Sequence, residues 1–221
     1  MSQHSMHPNV TLIEKSLNGI TDGTMTFDCF RAITGIRSAT VANEILKFLL
    51  ERGIGKRPRK ALLSFSSTDK LRTSILAISL GADVLRISQS LSWKDFERFA
   101  SEILVNCGFQ TTNNIRFTKP RAEIDIVATK SQLGLSVDCK HWANNGRLAL
   151  VEHTRKQIQR SERLLSTSFE FTKVVPVLLT IYPNVRSCES NLVPIVDINK
   201  FQSFVDEIES NMDKVFCIGR Y

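Results

Sequence analysis

The chain has 221 residues, of which 42% are hydrophobic, enough to build the core of one large domain or of two small ones. Lysine and arginine outnumber aspartate and glutamate by 29 to 22, and this net charge of +7 favours a polyanionic partner over a membrane. The five cysteines form no CxxC pair, which argues against a zinc finger or a redox motif. The sequence shows neither an apolar run of membrane-spanning length nor a signal-peptide pattern, so we expect a soluble, cytoplasmic protein.

The N-terminal part of the chain predicts a small, mainly helical domain. Apolar spacing over residues 10–54 predicts three helices, the third from about Ser38 to Glu51. A basic loop, KRPRK, and a β-like run from Ala61 to Phe65 follow. Because this order is that of a winged helix, we expect DNA contacts from the four basic residues of the loop, with an ordinary solvated loop as the alternative. These residues are Lys56, Arg57, Arg59 and Lys60.

The apolar pattern changes near residue 88, which predicts a domain boundary. Residues 1–88 hold 12 basic and 7 acidic side chains, whereas residues 89–221 hold 17 and 15. The positive charge is therefore concentrated in the smaller part. We expect a winged-helix-like DNA-binding domain over residues 8–88 and a second domain over residues 89–221.

The second part predicts an α/β domain with the element order αβββαββα, a mixed central sheet flanked by helices. The expected helices cover 92–107, 149–166 and 200–212, and the expected strands cover 109–117, 123–129, 134–140, 173–181 and 193–198. The short connector between the second and third strands permits a hairpin.

Two strands of this hairpin carry charged residues with a spacing of two. Asp138 and Lys140 share one face of their strand, and Glu123 and Asp125 share one face of the strand before it. Pairing of the strands brings Asp125 next to Asp138, with an ammonium group close by. Such a group suits phosphodiester hydrolysis, because hard oxygen ligands hold Mg²⁺ and a cation orients the attacking water. The backbone carbonyl of Cys139 is a further candidate ligand.

A single DxK is more often a surface ion pair at a strand end than a catalytic site. The surrounding order is more specific: a helix with a glutamate, a Gly-Phe pair, a strand, ExD, a hairpin, DxK and a helix. In this order the segment 92–181 resembles the PD-(D/E)xK nuclease superfamily, especially its Mrr-like and archaeal Holliday-junction-resolvase-like branches. The resemblance implies a restriction-endonuclease-like fold and a Mg²⁺-dependent nuclease, with Mn²⁺ as a substitute.

The resemblance also implies roles for individual residues. Asp125 and Asp138 match the metal-binding positions, and Lys140 matches the catalytic lysine. Glu97 matches the metal-side glutamate, with Glu102 as the runner-up and Glu123 also near the expected site. Gln157 matches a glutamine that some branches place on the following helix, where it positions the lysine or a phosphate.

Two features depart from the superfamily pattern. Ile124 replaces the proline of the Pro-Asp dipeptide, as in divergent branches, which leaves the role of Asp125 intact. The QxxxY motif of RecB-like exonucleases is absent, because Ser161 and Arg163 stand four residues after the two glutamines. The pattern therefore favours an endonuclease.

Other polar residues near the DxK strand have an ordinary structural interpretation beside a functional one. His141 could contact a phosphate and Trp142 could stack on a base, but structural roles are commoner for both. His153 has no partner at metal-ligand spacing. Arg147, Arg155, Lys156, Arg160 and Arg163 lie on or near the next helix, where phosphate contact and a solvated face are equally consistent with the spacing.

We therefore expect a metal-dependent DNA endonuclease that acts in restriction or, as a structure-selective enzyme, in repair or recombination. The alternatives are an inactive DNA-binding module with a nuclease fold, and a nuclease that acts on RNA. Cleavage of both strands of a duplex usually needs two active sites, which makes a homodimer attractive, although no residue locates an interface.

Overall fold

The structure is a computed structural model that describes residues 9–140, 147–168, 170–181 and 193–220. The chain divides into two compact units, Met1–Ser92 and Trp93–Tyr221. Each unit has its own secondary structure and is described by itself below. Within the described residues, no helix combines the length and the apolar character needed to cross a membrane.

The N-terminal unit contains five helices and three strands within its described part. The helices are α1 (Val10–Ser16), α2 (Phe27–Thr34), α3 (Ala39–Leu50), α4 (Asp69–Ser79) and α5 (Val84–Gln89). The strands are β1 (Gly23–Thr26), β2 (Lys56–Arg59) and β3 (Leu62–Phe65), and they form an antiparallel sheet in the order β1-β3-β2.

Helix α3 shows how the sequence sets these elements. Its N-terminus is capped by Ser38, whose side chain accepts a hydrogen bond from the backbone N–H of Val41. Apolar residues recur on one side of the helix, and Ile45 and Leu49 are fully buried in the core of the unit. The third predicted helix is therefore confirmed to within one residue at each end.

The N-terminal unit is mixed: beside its helices it contains a three-stranded sheet, of which the sequence predicted only the strand that corresponds to β3. The KRPRK segment is not a loop: Lys56–Arg59 form strand β2, which pairs with β3 through an irregular register. Strand β1 lies within residues 10–54, where the apolar spacing predicts only helices. Both strands have four residues and little apolar character, so hydrophobic alternation could not reveal them.

The C-terminal unit contains a central mixed sheet flanked by helices, as predicted. Its described helices are α6 (Trp93–Asn106), α7 (Arg147–Thr167) and α8 (Ile198–Glu207), the last followed by a 3₁₀ turn at Ile208–Asn211. Its strands are β4 (Gln110–Phe117), β5 (Ala122–Lys130), β6 (Leu133–Lys140), β7 (Lys173–Thr180), β8 (Ile195–Asp197) and β9 (Ile218–Gly219).

The sheet runs in the order β4-β5-β6-β7-β8, and β9 pairs with β7. The first three strands are antiparallel, while β6, β7 and β8 are parallel to one another. Seven of the eight residues of β6 are buried, as expected for a central strand covered on both faces. The predicted order αβββαββα is confirmed, with β9 added at the end.

Two local features hold α6 on this sheet. Gly108 ends the helix in a left-handed conformation (φ +87°), and Phe109 after it is buried. On the helix itself, the Ser101 hydroxyl and the Asn113 side chain of β4 are hydrogen-bonded at 2.9 Å. These contacts fix the rotation of α6, so that Glu97, one turn before Ser101, also lies on the buried side.

Candidate active site

The two aspartates singled out by the sequence lie side by side in the structure. The paired register of β5 and β6 ends with Ile126 opposite Val137, and Asp125 and Asp138 stand one position beyond that pair. An oxygen of the Asp125 carboxylate accepts a hydrogen bond from the backbone N–H of Cys139 at 2.7 Å. The predicted hairpin thus brings both carboxylates to one end of the β5–β6 pair.

Asp138 is a buried carboxylate held between two cations. Its Oδ2 atom lies 2.6 Å from Nζ of Lys140, and its Oδ1 atom lies 2.9 Å from Nη1 of Arg160. Only 4% of its side chain is exposed. A buried charge of this kind requires paired partners, because the cost of removing it from water exceeds the gain from a single weak contact. The DxK pair is therefore part of a buried ionic network rather than a surface ion pair.

Asp125 lies in a less favourable electrostatic environment. Burial is the largest effect and raises its pKa, and the negative charge of Asp138 raises it further, to about 7. The hydrogen bond from the Cys139 backbone and the charge of Lys140 only partly offset these effects. Two close carboxylates thus leave one of them partly protonated near neutral pH.

Glu97 is the glutamate that the structure brings to this group. It is 6% exposed, and burial raises its pKa, with further increases from Glu123 and Asp138. Glu102 is exposed on the same helix, as its rotation of roughly 140° from Glu97 requires. Glu123 lies at the edge of the group, where it pairs with Arg116 at 3.2 Å. The burial of Glu97 and its charge interaction with Asp138 therefore agree with the ranking of Glu97 before Glu102.

Cys139 stands between the two charged residues of the DxK motif, with its side chain fully buried. Its thiol pKa is raised well above the usual range, mainly by burial and then by the surrounding carboxylates. The thiol is therefore neutral and does not act as a nucleophile. Whether its backbone carbonyl binds metal stays a prediction.

Gln157 contacts the strand that carries Asp138 but not in the way expected. Its amide nitrogen donates to the backbone carbonyl of Ser136 at 2.7 Å, and its oxygen lies 3.5 Å from Nη1 of Arg160. It thus connects α7 to β6 and to the arginine that binds Asp138. The sequence analysis did not predict the contact of Arg160 with Asp138. The only signal in the sequence is that Arg160 stands three residues after Gln157, on the same face of α7.

His153 lies on the same helix, close enough to Lys140 for their charges to interact. Burial lowers the pKa of its imidazole, and Lys140 lowers it further, which keeps the ring neutral at pH 7. A neutral ring does not serve as a cationic phosphate contact. His141 and Trp142 lie outside the described residues.

The donor set at the hairpin end consists of hard carboxylate oxygens, which suit Mg²⁺ better than a soft metal. The Oδ2 atom of Asp138 is buried and accepts no hydrogen bond of normal geometry within the described part of the chain, apart from its ion-pair contact with Lys140. Among the described residues, however, no three acidic, histidine or cysteine side chains already converge as a ligand cluster. The adjacent carboxylates of Asp125 and Asp138, with Glu97 nearby, are nevertheless of the chemical type that fits a divalent metal.

The four residues of the KRPRK segment belong to the other unit, on β2 and in its turn to β3. Lys56, Arg59 and Lys60 are exposed. Arg57 is half-buried and committed to the fold: its guanidinium donates to Oδ1 of Asn43 and to the carbonyl of Lys60, both at 2.9 Å. Three of the four predicted contacts are thus available to a partner, and one has a structural role.

Comparison with known proteins gives one family match. The model of the family Mrr_cat, described as "Restriction endonuclease", matches residues 88–175. A comparison with curated protein sequences gives no significant match.

A comparison with solved structures gives matches of low sequence identity, three of which follow. A protein from Vibrio cholerae has 10% sequence identity and a TM-score of 0.47, with 93% of this chain and 52% of that chain covered. The small subunit of the heterodimeric restriction endonuclease R.BspD6I has 14% identity and a TM-score of 0.34, covering 52% and 69% of the two chains. Can2 from Sulfobacillus thermosulfidooxidans in complex with cyclic tetra-adenylate has 14% identity and a TM-score of 0.35, covering 93% and 49%.

This chain therefore spans about half the length of the first and third of these proteins. The matched segment contains helix α6, the β5–β6 hairpin with Asp125 and Asp138, and most of α7. Residues 88–175 of this chain accordingly form a restriction-endonuclease-like nuclease domain of the Mrr_cat family, within the PD-(D/E)xK superfamily.

Proposed function

We propose that this chain is a metal-dependent endonuclease that hydrolyses phosphodiester bonds in DNA. The observation that carries the proposal is the juxtaposition of Asp125 and Asp138 at the end of the β5–β6 pair, with Lys140 ion-paired to Asp138 at 2.6 Å. A nuclease domain implies a nucleic acid substrate, and the net charge of +7 is consistent with a polyanion.

Asp125 and Asp138 would hold Mg²⁺ or Mn²⁺, together with the Cys139 carbonyl, and Glu97 would contribute directly or through a water molecule. When bound, the metal would activate water and offset the negative charge that develops on the phosphate. Binding would also remove the repulsion that raises the pKa of Asp125.

Lys140 would orient the attacking water or stabilise the charge of the pentacovalent state. Arg160 and Gln157 would position the site from α7. Arg160 binds Oδ1 of Asp138 while Lys140 contacts Oδ2, and Gln157 ties the helix to Ser136. We assign Gln157 a positioning role rather than contact with the lysine.

The N-terminal unit would bind DNA as a winged-helix-like module. Its element order α1-β1-α2-α3-β2-β3 and its sheet order β1-β3-β2 support this assignment. In such modules a helix enters the major groove and the following hairpin contacts the backbone. Here α3 would be the recognition helix, and the turn between β2 and β3 would carry Arg59 and Lys60 to the phosphates.

The proposal is tested by incubating the full chain with duplex, branched and single-stranded DNA and with RNA, in Mg²⁺, Mn²⁺ or Ca²⁺. We expect cleavage of DNA with Mg²⁺ or Mn²⁺, and binding without cleavage with Ca²⁺. Preference for branched DNA would favour a role in repair or recombination, and cleavage at defined duplex sites would favour restriction. Cleavage of RNA alone, or of no substrate, would contradict the proposal.

Two variants test the site within the same assay. Asp138→Asn should lower the cleavage rate by roughly a thousandfold, and Lys140→Ala by about a hundredfold or more, since each removes an electrostatic group at the reacting phosphate. Asp213→Asn and Lys214→Ala change exposed residues of the same unit and serve as controls. Full activity of Asp138→Asn would remove the site assignment.

A further inference from the structure

A cleft of about 380 Å³ lies between helix α7 and the connection of β4 to β5. One wall carries Arg121, next to Pro120 and Ala122, and the other wall is a face of α7. The side chains that α7 contributes are Arg155, Lys156, Gln159, Arg160 and Arg163. Five of the described lining residues are therefore basic, and none of the described lining residues is acidic.

Two of the arginines make specific contacts that shape the cleft. Arg163 donates to the carbonyls of Pro120 and Lys119 at 2.6 and 2.7 Å, and its guanidinium lies 4.4 Å from the centre of the Phe117 ring. It thus holds the two walls together. Arg160, with 23% of its side chain exposed, reaches Asp138 from the cleft. The cleft is therefore contiguous with the buried ionic network of the active site.

The remaining cations are only partly neutralised. Arg155 and Lys156 share one carboxylate, that of Glu152, at 2.8 and 3.2 Å, and all three side chains are about half-exposed. Exposed ion pairs of this kind are weak and exchange readily for another anion. Arg121 is exposed on the opposite wall.

A solvated helix face would spread its charges over a convex surface. Here cations from two separate elements line one concave surface, where like charges repel one another unless an anion lies between them. A chain of phosphates satisfies this arrangement, because guanidinium groups bind phosphate through paired hydrogen bonds and successive phosphates can contact both walls.

We propose that this cleft binds the sugar-phosphate backbone of the nucleic acid next to the bond that is cleaved. The assignment of nucleic acid as the ligand rests on the proposed nuclease function. Arg160 lies at the inner end, where one guanidinium connects the bound backbone to Asp138. Arg121, Arg155 and Lys156 bind phosphates further from the reacting bond. The cleft therefore sets the path of the strand, in addition to any contact that the N-terminal unit makes.

The test measures binding without cleavage, so that it does not depend on activity. The full chain is titrated onto a labelled DNA duplex in Ca²⁺, and separately in EDTA, over a range of salt concentrations. In the double variant Arg121→Gln/Lys156→Gln, we expect affinity at 0.1 M salt to fall by roughly tenfold or more, and the slope of log affinity against log salt to flatten by about 1.8. The double variant Lys200→Gln/Lys214→Gln removes the same charge from exposed sites outside the cleft and should change both values far less.

A second variant adds charge without removing a cation. Gln159→Glu places a carboxylate in the cleft and should also weaken binding, whereas Gln202→Glu, on the exposed face of α8, should not. Thermal melting of each variant reports whether the fold is retained. Unchanged affinity and salt slope in both cleft variants, with the fold retained, would overturn the proposal. Failure of the wild-type chain to cleave DNA would contradict the proposed function instead, and the binding data would still decide the role of the cleft.

Discussion

The two groups of basic residues in this chain use their charge in different ways. On the β2–β3 hairpin, Lys56, Arg59 and Lys60 project into solvent, and only Arg57 is held by the fold. In the C-terminal unit, Lys140 and Arg160 are largely buried and bind the same carboxylate. Charges of the first kind are available to a partner from outside, while charges of the second kind hold a buried carboxylate in a fixed position.

This difference shows why counting charges along a sequence is not enough to assign a role to each basic residue. The N-terminal unit holds the larger net excess, yet one of its four candidate contacts has a structural role. The C-terminal unit is nearly balanced, with 17 basic and 15 acidic side chains in residues 89–221, yet Lys140 and Arg160 are concentrated on one buried carboxylate. Substitutions in the two regions should consequently affect different measurements.

The largest effect on binding is expected from the hairpin. Each side chain that neutralises a phosphate contributes about 0.9 to the salt slope on duplex DNA, so Lys56→Gln/Arg59→Gln/Lys60→Gln should flatten the slope by up to about 2.7 and lower affinity at 0.1 M salt by roughly a hundredfold. Arg57 stays unchanged, because it bonds to Asn43. Cleavage by the saturated complex should change little, since the metal ligands are untouched.

The control for the hairpin is Lys15→Gln/Arg86→Gln in the same unit, compared per charge removed. Lys15 is exposed, and the exposed side chain of Arg86 pairs with the largely buried carboxylate of Glu14. An equal loss per charge in this control would mean that the unit attracts DNA by net charge and not through the hairpin. Unchanged binding in the triple variant would point to a role of the unit in protein contacts.

A smaller effect, on metal dependence, is expected from the buried glutamate. Glu97→Gln should raise the Mg²⁺ concentration needed for half-maximal cleavage by roughly tenfold, the loss expected for a residue that supports a metal site. Glu102→Gln is the matched control, since Glu102 lies on the same helix but is exposed. A larger defect in Glu102→Gln would reverse the assignment of the two glutamates.

The smallest effect is expected on stability. Because the pKa of Asp125 is raised to about 7, its protonated form is favoured in the folded state. Its contribution to stability is fully present below about pH 4 and is lost as pH rises through 7. In EDTA, Asp125→Asn should therefore be more stable than the wild type at pH 8 by about 1 kcal/mol. This is well below the roughly 4 kcal/mol that a rise of about 3 pKa units would give, because Asp125 retains some solvent contact.

Chemical denaturation at pH 5 and pH 8 measures this difference, with Asp213→Asn as the control. Asp213 is exposed, and its substitution should leave the pH dependence unchanged. If Asp125→Asn shows the same loss of stability between pH 5 and pH 8 as the wild type, the carboxyl of Asp125 is not the group that titrates there.

The sequence by itself was sufficient for the long elements of the C-terminal unit. Strand β6 and helix α6 carry clear apolar periods of 2 and 3.6 residues, and the hairpin register that places Asp125 beside Asp138 follows from the short turn between β5 and β6. The DxK pair and Asp125 could be found for this reason, because their positions depend on local spacing within one hairpin.

The tertiary structure alone decided which distant residues meet at that hairpin. Arg160 follows Asp138 by 22 residues and reaches it only because α7 packs against β6. Glu97 is buried and Glu102 is exposed because of the rotation of α6, which the Ser101–Asn113 contact fixes. Strand β2 shows the same limit, since its three basic residues and Pro58 carry no hydrophobic period and form a strand only by pairing with β3. Local patterns record the preferences of a segment, whereas burial and ion pairing depend on what packs against it.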